Sequence, residues 1–205
     1  MREVTTRIYK FDELSEQAKE KARDWYKDIM SEDFTAEAEM ITENMIDYII
    51  NEGGAGESIS DLSVNWSLSC RQGDGVSFTG IIYGYDKSAL ELFNHVYDNN
   101  IPKNVRRILH GINVKFIKKS TRYCHKNTVT TDIEITGNYC GEINRIEAII
   151  EDIEIAIDSW RDGLCDKLEK LGYEQIDYYY SNECVDETII ANEYEFTEEG
   201  DRYNG

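Results

Sequence analysis

The sequence predicts an α+β fold: an antiparallel sheet of four to six strands, built from two hairpins plus terminal edge strands and packed by several helices. Three observations predict it. Ile143, Ile146, Ile150, Ile153, Ile157, Trp160, Leu164, Leu168 and Leu171 recur every third or fourth residue, which places them on one stripe of a helix over 141–171. Leu62, Val64, Trp66, Leu68 and Cys70 alternate with Ser63, Asn65, Ser67 and Ser69, the period of a half-buried strand. The remaining helical patterns cluster before, between and after the strand patterns instead of alternating with them, which separates α+β from a doubly wound sheet.

Taken in order, Val4 to Phe11 is rich in β-branched and aromatic residues and reads as a strand. Asp12 or Ser15 can cap the next helix, whose inner face is Leu14, Ala18, Ala22, Trp25, Tyr26 and Ile29. A second helix starts near Asp33, buries Ala38, Ile41, Met45, Tyr48 and Ile49, and stops at Gly53-Gly54. After the alternating strand come Arg71-Gln72-Gly73-Asp74-Gly75 and a returning strand from Val76 to Tyr85. Asp-Gly between two alternating runs marks a hairpin that needs positive φ. Lys87 to Asn99 is helical, with Leu90, Phe93 and Val96 or Tyr97 inside, and a short helix with Val105, Ile108 and Leu109 follows Pro102. Ile112 to Tyr123 and Thr128 to Thr136 form the second hairpin, ended by Gly137-Asn138. In the long helix Ile149, Ala156 and Gly163 widen the apolar stripe, and a continuation past Gly172 through Tyr180 is compatible with the pattern. Ser181 caps a last helix to about Ala191, and Glu193 to Thr197 forms a terminal strand. One domain, 1–205, is expected, folded over 1–197 with a frayed tail from Glu198.

Composition narrows the function. The 205 residues hold 22 Lys plus Arg against 41 Asp plus Glu, a net charge of −19. Such a charge repels nucleic acid and anionic membranes and attracts basic surfaces. No apolar run is long enough to span a membrane, and the opening residues Arg2, Glu3 and Val4 lack the apolar core of a signal peptide. Five widely spaced cysteines read as reduced, mostly buried cytosolic thiols. No catalytic or metal-binding pattern stands out. Cys124-His125 has no CxxC or HxxxH beside it, and there is no nucleophile elbow. The expectation is a protein that is not an enzyme and needs neither metal nor cofactor.

Two constellations remain. Along the long helix Glu147, Glu151, Glu154, Asp158 and Asp162 repeat every three or four residues, about 5–6 Å apart. A line of carboxylates at that pitch can imitate one strand of a nucleic-acid backbone, although Arg145, Arg161 and Lys167 interrupt it, and the same pattern suits a plain solvated helix face. Tyr178, Tyr179 and Tyr180 exceed what one helix buries and suit a partner contact. The second constellation is the hairpin turn. Arg71, Gln72, Gly73, Asp74, Gly75 and Ser77, with the aromatics Trp66 and Phe78, form a candidate nucleotide site, in which Arg71 would meet a phosphate. Asp74 opposes a phosphate, and a tight structural turn explains the two glycines equally.

Three stretches carry a resemblance: Ile8-Tyr9-Lys10-Phe11-Asp12-Glu13-Leu14-Ser15 leading into Ala18-Lys19-Glu20-Lys21-Ala22, Gln72-Gly73-Asp74-Gly75-Val76-Ser77-Phe78-Thr79-Gly80, and Asn192-Glu193-Tyr194-Glu195-Phe196-Thr197-Glu198-Glu199-Gly200. In order and spacing the chain resembles a family of small uncharacterised proteins of tailed bacteriophages and prophages, sometimes labelled antitoxin-like. The resemblance implies a phage-encoded accessory protein of the bacterial cytoplasm and supplies no active site. Combined with the charge, it gives the expectation of a non-enzymatic acidic inhibitor that occupies a basic host nuclease, toxin or immune effector. The alternatives are a sponge for a nucleotide immune signal, held at the hairpin, and an antitoxin-like neutraliser of a basic toxin.

Overall fold

The structure, a computed structural model, describes residues 1, 7–69, 71–137 and 143–204, without the side chains of Ile143 and Asn144. Its elements are β1 (Tyr9–Lys10), α1 (Glu16–Glu32), α2 (Thr35–Asn51), β2 (Ser60–Ser67), β3 (Gly75–Tyr83), α3 (Lys87–Val96), α4 (Lys103–Ile108), β4 (Ile112–Lys118), β5 (Val129–Ile135), α5 (Ile143–Tyr179), α6 (Asn182–Ala191) and β6 (Glu195–Phe196). The class is α+β. The chain divides into two compact units, Met1–Met40 with Glu174–Gly205, and Ile41–Tyr173. Residues of α2 and α5 belong to both.

In the first unit β1 and β6 pair antiparallel, Tyr9 opposite Phe196. The terminal strands therefore form a two-stranded sheet of their own and are not edges of the larger one. Ser15 caps α1, its hydroxyl accepting from the Ala18 N–H at 3.3 Å. Phe11, Leu14, Ala18, Ala22, Val185, Ile189 and Phe196 make the core, with Trp25, Tyr26 and Tyr194 against it. The buried row of α1 advances by four, from Ala18 and Ala22 to Met30, so Ile29 points outward at 45% exposure, contrary to the inner face read from sequence. Arg23 lies over the Phe11 ring and donates to both Asp186 oxygens at 2.6 and 2.7 Å. That pairing holds its guanidinium above its ordinary pKa. Residues 198–204, expected to fray, fold back instead. Phe196 bridges to Arg202, whose guanidinium covers the Tyr194 ring at 4.8 Å, so cation–π contact and backbone pairing hold the tail.

The second unit holds the four-stranded antiparallel sheet, order β2-β3-β4-β5. The two predicted hairpins lie side by side: β3 pairs with β4 at Gly80 and Phe116, and α3 and α4 fill the connection between them. The register puts Phe78, Ile82, Val114, Phe116, Thr131 and Ile133 on one face, and all are buried. Trp160 of α5 meets that face, 6.0 Å from Phe78 and 5.9 Å from Phe116. Its indole N–H donates to the Gly53 carbonyl at 2.8 Å, which satisfies the polar edge of a mostly apolar contact. Ile146, Ile149, Ile153, Ile157, Leu164 and Leu168 continue the buried stripe.

Several details correct the sequence reading. α3 buries Ala89, Leu92 and Phe93, so Leu90, one residue off that row, is 43% exposed. Gly163 is no part of the stripe: it is exposed, and a methyl group added there would meet nothing within 4 Å. The alternation of Val129, Thr131, Ile133 and Ile135 places all four on one face of β5, of which the first three are buried and Ile135, at the strand end, is 37% exposed. α5 runs beyond the stripe that ends at 171 to Tyr179, along the continuation past Gly172 that the sequence offered. β1 and β4 are shorter than read, and the predicted starts at Val4 and Gly141, the turn residue Asn138, and Cys70 and Cys140 lie outside the described residues.

Candidate functional site

On the part of α5 within the second unit, the acidic line breaks into two kinds of carboxylate. Glu147 and Glu151 are exposed, as is Asp152 beside them. Asp158 and Asp162 are occupied. They hold the Arg161 guanidinium at 2.5 and 2.8 Å, and the same group donates to the Thr131 hydroxyl at 3.0 Å. Arg161 is only 5% exposed, so its charge is anchored against β5 and the two aspartates serve that anchor first. Glu154 stands between the groups. It is half-buried, takes a hydrogen bond from the Ile133 backbone, and is pushed above its ordinary pKa by burial and by Asp132 and Asp158.

A residue that sequence reasoning passed over sits in the middle of this face. Ile155 is 65% exposed, four residues after Glu151 and eight after Glu147, and so on the same side of the helix. The available signal was an apolar residue off the core stripe and inside the acidic one.

The three tyrosines belong to the first unit. Tyr179 and Tyr180 are half-buried against Phe34, with ring centroids 6.1 and 5.9 Å away, and burial raises their pKa. Tyr178 alone is freely presented, at 52% exposure. The sequence reading placed all three at a partner surface.

The Gln72–Ser77 hairpin has a structural role. Asp74 accepts from the Ser67 hydroxyl at 2.7 Å, from the Ser69 N–H at 2.8 Å and hydroxyl at 3.0 Å, and from the Arg71 N–H at 2.7 Å. These bonds lower its pKa to about 2 and fill its lone-pair directions. Gly73 and Gly75 have φ of 95° and 140°, the conformation the turn requires. Phe78 and Ser77 are fully buried, and the Trp66 indole N–H donates to the Thr42 hydroxyl at 2.9 Å. Of the predicted nucleotide site, only Arg71 and Gln72 remain fully exposed.

A cavity of about 320 Å³ lies elsewhere in the second unit, lined by Gly54, Gly56, Glu57, Ser58, Lys87 and Glu91 among others. Lys87 and Glu91, one turn apart on α3, pair on its wall at 2.7 Å, and none of the predicted ligand residues lines it. Among the described residues no three His, Cys, Asp or Glu side chains are arranged to hold a metal ion. Cys165 is buried and its thiol is pushed up to about 12, so it stays protonated and inert; Cys124 and Cys184 are half-buried and unpaired. Among the described residues no helix is long and apolar enough to cross a membrane.

A family model described as Domain of unknown function (DUF8835) matches residues 25–186. No curated protein and no solved structure matches the chain.

Proposed function

The chain belongs to this family of unknown function, and from the surface of α5 we propose that it is a non-enzymatic acidic binding protein that docks onto a basic surface of another protein. The carrying observation is Ile155, 65% exposed on the side of α5 that also presents the exposed Glu147 and Glu151, with the half-buried Glu154 next to it in the chain. An apolar anchor surrounded by charge is the usual arrangement of a protein-recognition patch: the centre loses water on contact, and the rim selects the partner and speeds its approach. The resemblance to phage accessory proteins supports a partner in a bacterial host, and the proposed partner is a nuclease, toxin or immune effector that presents cationic groups around an apolar recess.

The reading is tested on a partner recovered by co-purification from bacterial cells and then purified. Ile155→Ser should weaken the complex by about 2 kcal/mol or more, roughly thirtyfold. Glu147→Gln with Glu151→Gln should slow association and flatten its dependence on salt. A complex indifferent to all three changes and to salt would show that α5 is not the contact.

A further inference from the structure

Charge is not spread evenly along this chain. Residues 99–131 contain eight Lys or Arg and no Asp or Glu, within a protein of net charge −19. The fold gathers the later half of this stretch at one end of the four-stranded sheet. The connection after β4 carries Lys119, Arg122, Tyr123 and Lys126, and it packs directly on the β2–β3 turn. The Cys124 N–H donates to the Gly73 carbonyl at 3.3 Å. A methyl group on Gly73 would lie 2.2 Å from the Tyr123 ring, and one on Gly75 would lie 2.9 Å from the His125 backbone. Arg71 therefore joins the cations of the second loop.

Their availability differs. Lys126 is paired to Asp166 at 2.6 Å, and Lys118 donates to the Asn65 amide oxygen at 2.8 Å. Arg71, Lys119 and Arg122 are exposed and have no carboxylate partner among the described residues. Arg122 is held over the Tyr123 ring at 5.1 Å, which fixes the guanidinium without neutralising it. Of the two acids at the turn, Asp74 is saturated by its own loop, and the Glu169 carboxylate lies on the Gly75 side, 3.4 Å from where a methyl group on Gly75 would stand. Gln72, Thr121 and Asn127 add exposed hydrogen-bonding groups.

We propose that this loop cluster binds the phosphate backbone of single-stranded nucleic acid through Arg71, Lys119 and Arg122. An acidic protein partner fits less well. The nearest exposed large apolar side chain, Ile117 at 44%, lies on β4 beside the patch, and none is exposed among the described residues of 71–75 and 119–127, so the loops themselves carry no apolar centre. Polar, cation-rich surfaces without such a centre suit phosphates. A duplex fits less well too. A flexible single strand can bend successive phosphates toward cations carried on two separate loops, whereas a duplex is stiff over many base pairs and presents its phosphates in a fixed array. Binding would be independent of sequence, because every contact is to phosphate. The inference stands apart from the α5 reading, uses none of its residues, and runs against the expectation from net charge.

The test measures fluorescence anisotropy of labelled single-stranded DNA and RNA oligonucleotides with the full chain, beside duplex DNA and a polyglutamate peptide. Three phosphate contacts on a single strand predict an affinity loss of about twentyfold as salt rises from about 50 to about 200 mM. R71Q/K119Q/R122Q should abolish the salt-dependent binding, with each single substitution weakening it in part. The single variants carry the result even if the triple one loses its fold, which circular dichroism reports. K103Q/R106Q and E147Q/E151Q should leave binding within about twofold. No binding at low salt, binding unchanged by the Arg71, Lys119 and Arg122 substitutions, or tighter binding of the duplex or of polyglutamate would each overturn the proposal. Failure of the α5 reading would show instead in the Ile155→Ser complex, a separate measurement.

Discussion

At the scale of single residues, Arg161 decides what two of the five candidate acids are for. Its side chain is 6% exposed, whereas Asp158 and Asp162 keep 46% and 37% of their side-chain surface. The consequences of removing either side of this triad are therefore unequal. Asp158→Asn with Asp162→Asn strands a buried cation and should cost about 3–5 kcal/mol. Arg161→Met leaves two half-exposed carboxylates that water can solvate, and should cost about 1 kcal/mol or less. Urea denaturation of both variants checks this. Equal losses would mean that Arg161 is not electrostatically anchored as described. The same asymmetry explains why the sequence misled. Helical spacing displays every acid on one face as equivalent, and only the approach of Thr131 from β5 shows which are in use. Asp74 repeats the lesson: in the sequence it is a polar residue in a glycine turn, and in the fold its oxygens are filled by Ser67, Ser69 and Arg71.

At the scale of elements, the elements themselves were legible and their orientations less so. The stripe of α5 and the alternation of β2 are periodicities long enough to survive individual exceptions, and Ser15 and Ser181 both cap the helices that begin after them. The misreadings occur where two adjacent residues compete for one buried position. Met30 wins over Ile29 and Ala89 over Leu90, because a helix turns about 100° per residue and sequence alone does not fix its rotation against the core. Gly163 is a third case and yields a prediction. It lies inside α5, is exposed, and has nothing within 4 Å of an added methyl group. Gly163→Ala should stabilise the protein by about 0.5–1 kcal/mol, since alanine loses less backbone entropy in a helix. Gly172→Ala is the contrast. Its methyl group would fall 2.3 Å from a Leu68 methyl and 2.6 Å from the Met45 terminus, so those side chains must shift and the gain disappears. Thermal midpoints that rose equally for both would remove the packing part of this account.

At the scale of the whole molecule, a total charge hides its own distribution. The net −19 supports an acidic binding surface, and α5 offers one, yet the acid-free stretch 99–131 folds to a sheet end whose cations have the opposite preference. The run of basic residues stood in the sequence. Its meeting with Arg71 did not, because the contact of Tyr123 with Gly73 is tertiary. Separating opposite charges does not cancel the cost of the excess. Most of the exposed ion pairs, such as Lys21 with Asp201 and Lys87 with Glu91, contribute little to stability because water already solvates both charges, and salt weakens them. The surplus carboxylates repel one another over distances that salt screens more completely, about 30 Å at 0.01 M but only about 8 Å at 0.15 M. Repulsion is then the larger quantity lost on adding salt, and the folded state, which crowds those charges, gains from losing it. Raising sodium chloride from about 10 to about 150 mM at pH 7 should increase the thermal midpoint, each kcal/mol gained showing as about 2–4 °C in a chain of this size. A midpoint that fell over this range would mean that attractive pairs outweigh the surplus, and that the acids of α5 are more fully partnered than Glu147 and Glu151 show.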